Sequence, residues 1–251
     1  MTRMFEGRVV VIIGGNSGIG LAAGVAFANE GARVVITGRD RDSLDKAANQ
    51  IGLETLVYRS DISQLQQIES LFAKLREDVG RIDVLFVNAG ILAFEPIGSV
   101  TENTWDLVHS INVKGVFFCV QEALPLMRGG SAVVLTGSTA ANKASPTAPA
   151  YAASKAALRS LGRSFASALV DRRIRVNVVS PGPTATPIYA RAHGLDPSAV
   201  PAVRQSQIDA MPMRRMSKPE EVAAAVLFLA SDSAEFITGV ELLVDGGAVS
   251  F

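Results

Sequence analysis

The alternation of short apolar runs with helical segments constrains this chain more than any other feature of its sequence. Seven runs rich in β-branched and other apolar residues, at positions 9–13, 33–37, 55–58, 82–87, 131–136, 174–179 and 238–244, are typical of buried strands. Strands that alternate with helices form a parallel sheet with right-handed crossovers and helices on both faces. We therefore predict an α/β fold with a doubly wound, seven-stranded parallel sheet.

Composition limits the classes of protein to which the chain can belong. Hydrophobic residues make up 48% of the sequence, which excludes disorder. The formal net charge is zero without a basic block, which argues against nucleic acid or an anionic membrane as the main partner. No linker or repeat interrupts residues 1–251, so we predict a single domain. The absence of a signal-like run and the single Cys119, in an apolar run, favour a reducing, cytoplasmic location.

A glycine-rich turn follows the first predicted strand and opens the first predicted helix. It contains Gly14, Gly18 and Gly20, a spacing that differs from the common G-x-G-x-x-G. Glycines let the backbone approach a diphosphate, and a helix N-terminus presents free N–H groups to it. Such turns also exist only for close packing, but the position after a buried strand favours a dinucleotide site.

The end of the second strand bears on the choice of cofactor. Where dinucleotide-binding folds often place an acid for the ribose 2′-hydroxyl, this chain has Gly38 and then Arg39. A guanidinium suits a 2′-phosphate, which favours NADP(H) over NAD(H). Two alternatives stay open: Asp40 as a ribose acid displaced in register, and Arg39 as a solvated residue in a charged turn.

Tyr151 and Lys155 are a candidate proton-transfer pair. Pro149 and the Ala-rich run after it predict a helix start, and residues four apart lie on one helix face. A nearby cation stabilises a phenolate and lowers the pKa of the phenol. A packed Tyr beside a surface Lys has the same spacing. Position decides for the chemical interpretation, because Gly14, Asn88 and Ser138 also follow predicted strands, where open α/β sheets bind ligands.

These motifs together resemble the short-chain dehydrogenase/reductases over nearly the whole chain, in detail the bacterial NADPH-dependent carbonyl reductases and secondary-alcohol dehydrogenases. That family has a Rossmann-like fold. The matching residues are Gly14, Gly18, Ile19, Gly20, Asp61, Asn88, Ala89, Gly90, Asn112, Ser138, Tyr151, Lys155, Pro181, Gly182, Thr186, Asp245, Gly246 and Gly247. Two positions depart from the pattern: Ile13 stands where the family often has a Thr that ties the turn, and Thr184 replaces an apolar β-branched residue.

The resemblance implies a role for each catalytic residue. Tyr151 is expected as general acid and base, Lys155 as the group that binds the nicotinamide ribose and lowers the Tyr151 pKa, and Ser138 as a hydrogen-bond donor to the substrate oxygen. Asn112 is expected to hold a water that links Lys155 to solvent. With Arg39, the expected cofactor contacts are Gly14, Asn16, Ser17, Gly18, Ile19, Gly20, Asp61, Ile62, Asn88, Ala89, Gly90, Tyr151, Lys155, Pro181, Gly182, Thr184 and Thr186. No residue spacing suggests a metal site.

The predicted function is NADP(H)-dependent hydride transfer between nicotinamide and a small hydrophobic ketone or secondary alcohol. The loosely patterned segment 188–216 is a candidate substrate lid. The alternatives are a 3-oxoacyl-(acyl-carrier-protein) reductase, for which Arg214 and Arg215 would be carrier contacts, and a non-catalytic NADP(H)-sensing protein. The resemblance also implies a homotetramer, with the apolar tail 248–251 suited to burial against a neighbouring subunit.

Overall fold

The computed structural model describes residues 3–250 and contains one seven-stranded parallel sheet. The strand order is β3-β2-β1-β4-β5-β6-β7. The strands are β1 Val9–Ile13, β2 Arg33–Gly38, β3 Leu56–Arg59, β4 Ile82–Val87, β5 Met127–Thr136, β6 Arg175–Pro181 and β7 Glu241–Val244. The predicted doubly wound sheet is therefore confirmed.

Helices cover both faces of this sheet. They are α1 Gly18–Asn29, α2 Arg41–Ile51, α3 Leu65–Asp78, α4 Glu102–His109, α5 Val116–Ala123, α6 Pro149–Leu169, α7 Val200–Ala210 and α8 Pro219–Ala230. One apolar core joins the sheet to α3, α5 and α6, and a second joins it to α1, α2 and α8. Two separate cores are expected when each residue of a strand points to the opposite face from the next.

The strand order reverses at β1, and this reversal positions the site. Ile12 of β1 pairs with Ile36 of β2 on one side and with Phe86 of β4 on the other. The connections that leave β1 and β4 run to opposite sides, so a crevice opens beyond the carboxyl ends of these strands. Open α/β sheets bind their ligands in such a crevice.

The apolar periodicity of the sequence from position 101 or 102 to about 127 predicts one long helix, and this prediction is wrong in its middle and at its end. A π-helical turn, Ser110–Gly115, separates α4 from α5, and a 3₁₀ turn, Leu124–Leu126, precedes β5. The π turn contains Asn112, which is fully buried. We attribute the break to Asn112, because its amide is hydrogen-bonded inside the protein, whereas a polar residue on a regular amphipathic helix would more often face water.

The segment 188–216 is more regular than its sequence indicates, because it contains α7. No residue of α7 is buried, which explains the weak apolar periodicity. Ser217 and Glu220 have the spacing of a capping box, which predicts Ser217 as the N-cap of α8. In the structure the cap lies one residue later: Lys218 is the N-cap, and the Glu221 carboxylate accepts from its backbone N–H at 2.7 Å. None of the helices within residues 3–250 is long and apolar enough to span a membrane.

Candidate active site

A cavity of about 760 Å³ lies at the carboxyl ends of the strands. Almost every residue predicted for the site lines it: Gly14, Asn16, Ser17, Gly18, Ile19, Arg39, Asp61, Ile62, Asn88, Ala89, Gly90, Ser138, Tyr151, Lys155, Pro181, Gly182, Thr184 and Thr186. Gly20 and Asn112 do not line the cavity. Segments far apart in the sequence thus meet in one space.

Close backbone packing explains the glycines of the turn after β1. Gly14 has a φ of +84°, and a Cβ there would lie 2.8 Å from the backbone of Ala89. A Cβ on Gly20 would lie 2.1 Å from the carbonyl oxygen of Gly14. Side chains at these positions would therefore push the turn away from β4 and α1.

The first turn of α1 is suited to an anion. Its N-cap, Ser17, is extended with a φ of −165° and makes no side-chain capping bond. The first N–H groups of a helix have no intrahelical partner and attract negative charge. Gly18 brings the turn close to Thr186, since a Cβ on Gly18 would lie 3.0 Å from the Thr186 methyl carbon. These features fit the diphosphate of a dinucleotide.

Asn88 ties the glycine turn to the sheet in the absence of the usual Thr at position 13. Its Nδ2 donates to the carbonyl oxygen of Gly14 at 2.9 Å, and its Oδ1 accepts from the Thr136 hydroxyl at 3.2 Å. The backbone N–H groups of Gly14 and Gly15 both donate to the carbonyl oxygen of Thr37 at 3.0 Å. The turn is thus held on two sides despite Ile13. The expected contact of Asn88 with a ribose stays a prediction.

The end of β2 separates the roles of Arg39 and Asp40. Asp40 is the N-cap of α2, and its Oδ1 accepts from the Ser43 N–H at 2.8 Å. Hydrogen bonds from Ser43 lower the Asp40 pKa. This cap accounts for Asp40 without a ribose. Arg39 is exposed at the cavity, and its backbone carbonyl oxygen accepts from the Arg59 side chain at 3.0 Å. Its guanidinium has no hydrogen-bond partner within residues 3–250 and so stays available to a ligand.

Ser138 and Tyr151 are neighbours across the cavity. Ser138 caps the 3₁₀ turn Thr139–Asn142, and its Oγ accepts from the Ala140 N–H at 3.1 Å, which leaves the hydroxyl proton to donate. Tyr151 lies in the first turn of α6. Burial raises the Tyr151 pKa, and the nearby Ser138 hydroxyl opposes this effect.

Lys155 lies below Tyr151 on the same face of α6. Its side chain is almost fully buried, and its Nζ donates to the carbonyl oxygen of Thr136 at 2.8 Å. The Nζ is 5.8 Å from the centroid of the Tyr151 ring. Burial lowers the Lys155 pKa to about 8. The expected lowering of the Tyr151 pKa by Lys155 stays a prediction.

Asn112 connects the π turn to the segment after β4 and to α6. Its Oδ1 accepts from the Ile91 N–H at 2.9 Å, and its Nδ2 donates to the Ile91 carbonyl oxygen and to the Ser154 Oγ, both at 3.0 Å. Ser154 in turn donates to the carbonyl oxygen of Tyr151 at 2.7 Å. The predicted water beside Asn112 stays a prediction. In the structure Asn112 aligns three segments of the cavity wall.

Sequence reasoning missed two side chains at the site, those of Tyr189 and Arg191. Tyr189 is buried close to Tyr151, and burial, together with that neighbour, raises the Tyr189 pKa to about 12. Arg191 donates to the Ser17 Oγ at 3.2 Å. Neither belongs to a spacing motif, and both lie in the weakly patterned segment 188–216. Within residues 3–250 no group of His, Cys, Asp and Glu side chains is arranged for a metal ion.

Comparisons with known proteins agree with this geometry. A family model described as enoyl-(acyl carrier protein) reductase matches residues 13–249. A 3-oxoacyl-(acyl-carrier-protein) reductase of Thermotoga maritima is 38% identical over 250 residues, which are 97% of this chain and 98% of that protein. An NADP-dependent (R)-specific alcohol dehydrogenase of Lentilactobacillus kefiri is 35% identical over 254 residues, 98% of each chain.

Solved structures show the same relationship. The crystal structure of a short-chain dehydrogenase/reductase from Brucella melitensis, with glucose/ribitol dehydrogenase in its name, superposes with a TM-score of 0.89 at 33% identity and covers 99% of both chains. The family consists of oxidoreductases that act on CH–OH or C=O groups with nicotinamide cofactors. On its sequence, its fold and the residues that meet in its cavity, the chain belongs to the short-chain dehydrogenase/reductase family.

Proposed function

We propose that the protein is an NADP(H)-dependent carbonyl reductase and secondary-alcohol dehydrogenase. The observation that carries this proposal is the meeting of Ser138, Tyr151 and Lys155 in the cavity that the glycine turn also lines. When bound, the nicotinamide supplies or accepts the hydride, and the protein has to align the substrate and move one proton.

Tyr151 and Ser138 act on the substrate oxygen. Ser138 donates a hydrogen bond to the carbonyl oxygen, and Tyr151 gives it a proton as negative charge develops. The raised pKa of Tyr151 keeps the phenol protonated at neutral pH, as a general acid requires. Proton transfer from a positioned group contributes roughly 10² to 10⁴ in rate. In alcohol oxidation the same proton returns to Tyr151.

Lys155 and Asn112 support this proton transfer. Lys155, with a pKa of about 8, is mostly charged at neutral pH and places a cation below the phenol. We propose that it binds the nicotinamide ribose. Asn112 fixes Ile91 and, through Ser154, the first turn of α6, so Tyr151 keeps its place relative to the cavity wall.

The cofactor contacts divide by charge. The diphosphate is assigned to the uncapped first turn of α1 and to Thr186, and the 2′-phosphate of NADP(H) to the guanidinium of Arg39. Asp61 and Ile62 also line the cavity, and we assign the adenine to them; Asp61 Oδ1 accepts from the Ser63 N–H at 3.0 Å. The remaining contacts are proposed for Asn16, Ala89, Gly90, Pro181, Gly182 and Thr184.

The substrate wall is largely apolar, which favours a hydrophobic ketone without a charged group. It consists of Ile91, Leu92 and Phe94 on one side and Ile188 and Tyr189 on the other. We propose that segment 188–216 is the lid that closes over this wall, as such segments exclude water from a reacting centre.

A 3-oxoacyl-(acyl-carrier-protein) reductase is the second candidate, favoured by the Thermotoga relative. An acidic carrier protein needs free cations beside the cavity. Arg215, however, binds the Glu221 carboxylate through two contacts of 2.7 Å, and Arg214 donates to the carbonyl oxygen of Asp209 at 2.5 Å. These internal contacts favour a free small ketone. A non-catalytic sensor would have no need for Ser138, Tyr151 and Lys155 together.

Assembly and location follow the family and the composition. Phe228, Phe236 and Val240 are exposed apolar side chains on and after α8, and their burial would favour a homotetramer. The last residue of the tail 248–251, Phe251, lies outside the described residues. We propose a cytoplasmic location because the single cysteine is a buried free thiol.

A spectrophotometric screen tests the proposed function. Aryl and alkyl ketones are offered with NADPH and NADH in parallel, and 3-oxoacyl thioesters are included. We expect oxidation of NADPH by at least one hydrophobic ketone and weaker use of NADH. Turnover confined to acyl thioesters would move the assignment to the second candidate, and cofactor binding without turnover on any carbonyl would favour the sensor.

A further inference from the structure

One 3₁₀ turn, Tyr189–Arg191, contributes two side chains to the cavity wall, those of Tyr189 and Arg191. Tyr189 packs beside Tyr151 in a small apolar cluster with Leu92 and Ala148. Two residues further on, the Nη1 of Arg191 donates to the Ser17 Oγ at 3.2 Å. The turn therefore places one side chain near Tyr151 and bonds the glycine turn with another.

The position of Arg191 is electrostatically unusual. A helix N-terminus carries a partial positive charge, so a cation there is repelled unless an anion lies between them. Within residues 3–250, no carboxylate oxygen lies within 4.0 Å of the Arg191 guanidinium. Asp40 is the acid that feels its charge, and Arg191 is the weakest of the influences that lower the Asp40 pKa. The guanidinium thus faces the N-terminus of α1 without a close counter-ion.

The hydroxyl of Ser17 is the group that Arg191 contacts at the start of α1. This hydroxyl would normally cap α1, but it makes no capping bond and accepts from Arg191 instead. The first N–H groups of α1 and the N–H donors of the guanidinium that Ser17 does not engage therefore lie beside each other at the cavity. Such a set of donors matches the oxygens of a phosphate.

Resting on the proposed use of a nicotinamide dinucleotide, we propose that Arg191 is a ligand of the cofactor diphosphate and that its contact fixes Tyr189 against the substrate. Binding at the glycine turn would then order the substrate wall through a connection of two residues. A second arginine of the segment supports this arrangement, because the Arg204 Nη2 donates to the carbonyl oxygen of Thr186 at 3.1 Å and anchors α7 beside the same site.

Cofactor titration of variants tests the assignment to the diphosphate, a group that NADPH and NADH share. Dissociation constants are measured by calorimetry for the wild type, Arg191→Ala and Arg191→Lys. We expect Arg191→Ala to weaken both cofactors by about tenfold, the loss typical of a charge-assisted hydrogen bond, and Arg191→Lys to recover part of it. Arg163→Ala, which removes an exposed arginine of α6 with no side-chain bond in the described residues, is the matched control and should bind as the wild type does.

Hydrogen exchange of segment 188–216 provides a readout independent of turnover. Either cofactor should slow exchange in the wild type, and Arg191→Ala should lose most of this protection even when saturated. Unchanged affinity for both cofactors in Arg191→Ala would overturn the proposal, and so would a loss confined to NADPH, which points to the 2′-phosphate. If the wild type binds neither cofactor, the proposed function itself fails.

Discussion

The side-chain amide of Asn112 pairs with both backbone polar groups of Ile91, accepting from its N–H at 2.9 Å and donating to its carbonyl oxygen at 3.0 Å. This is the bonding that a neighbouring strand would provide, and it comes from the π turn between α4 and α5. The Asn112 side chain thereby gives the backbone just after β4 the kind of hydrogen-bond partners that strands have within the sheet.

Replacing Asn112 by Leu tests this relationship. The substitution leaves two backbone groups of Ile91 without their partner, and we expect a loss of about 2 to 4 kcal/mol in the free energy of unfolding, measured by urea denaturation. Turnover should fall as well, because Ser154 loses the amide that orients it. Ser110→Ala, in the same turn, removes a partly exposed bond to Leu107 and should cost less than about 1 kcal/mol. Equal losses in the two variants would contradict this account.

Tyr151→Phe removes one hydroxyl and little volume. We expect binding of NADPH to be kept and turnover to fall by at least about 100-fold, since the general acid is lost. Binding is followed by cofactor fluorescence and turnover by absorbance. Tyr58→Phe is the control, because that phenol lies on β3 and donates to Asp78, away from the cavity. Turnover near the wild-type rate in Tyr151→Phe would refute the assignment.

The lowered pKa of Lys155 predicts how stability depends on pH. Burial lowers this pKa from 10.5 to about 8, so between these values the unfolded chain keeps a proton that the folded chain has released. The free energy of unfolding therefore rises with pH in this window. Below pH 8 the folded protein bears the full cost of burying the charged Lys155 ammonium. Tyr151 has a raised pKa, so its contribution is lost only above about pH 10.

Urea denaturation of the cofactor-free protein and of Lys155→Met checks this prediction. From pH 7.5 to 9.5, the free energy of unfolding of the wild type should increase by about 2 kcal/mol more than that of the variant. If the free energy of unfolding changed with pH in the same way in both proteins, the pKa of Lys155 would not be lowered by folding, and the prediction would be wrong.

Arg39→Ala separates the two cofactors. The variant loses the cation assigned to the 2′-phosphate, so we expect the dissociation constant of NADPH to rise about tenfold or more and that of NADH to stay the same. Arg41→Ala, which breaks an exposed pair with Asp45, controls for the loss of charge nearby. Equal weakening of both cofactors in Arg39→Ala would argue against NADP(H) preference.

Arg175→Met probes stability apart from catalysis. The buried guanidinium of Arg175 donates to the carbonyl oxygens of Leu229, Ala230 and Ser231 at 2.6, 3.2 and 3.0 Å, where α8 ends. Without it these acceptors lose their partner, and we expect a loss of about 2 to 4 kcal/mol in the free energy of unfolding with cofactor affinity unchanged. Asp232→Asn, which breaks an exposed pair with Arg8, should change stability by less than about 1 kcal/mol. A stable Arg175→Met protein would contradict the capping role.

The strands, and the edge of the sheet at which the site lies, are predictable from the sequence because they depend on local patterns of residues. Each strand contains a short apolar run, and parallel strands bring their carboxyl ends to one edge, so the sequence predicts Ser138 and Tyr151 beside the glycine turn. The π turn was not predictable, because it depends on a bond between Asn112 and Ile91, 21 positions apart. Periodicity reports neighbours on one helix and carries no information about such a contact.

The segment 188–216 was the least predictable part for a related reason. A helix is predicted from sequence by the apolar stripe that it buries, and α7 buries no residue. Tyr189 and Arg191 gain their importance from Tyr151 and Ser17, which lie far away in the sequence. The pKa of Lys155 was likewise beyond prediction, since it depends on a complete desolvation that only the packed structure produces.

The π turn Ser110–Gly115 determines how the helical segment that joins α4 to α5 would respond to the loss of a residue. A π turn holds one residue more than regular coiling needs, and each residue of an α-helix advances the facing direction by about 100°. Deleting a single residue there would let the winding become uniform and would swing Asn112 toward a different neighbour. The irregular coil thus works as a spacer, whose surplus residue aims one amide at one peptide group.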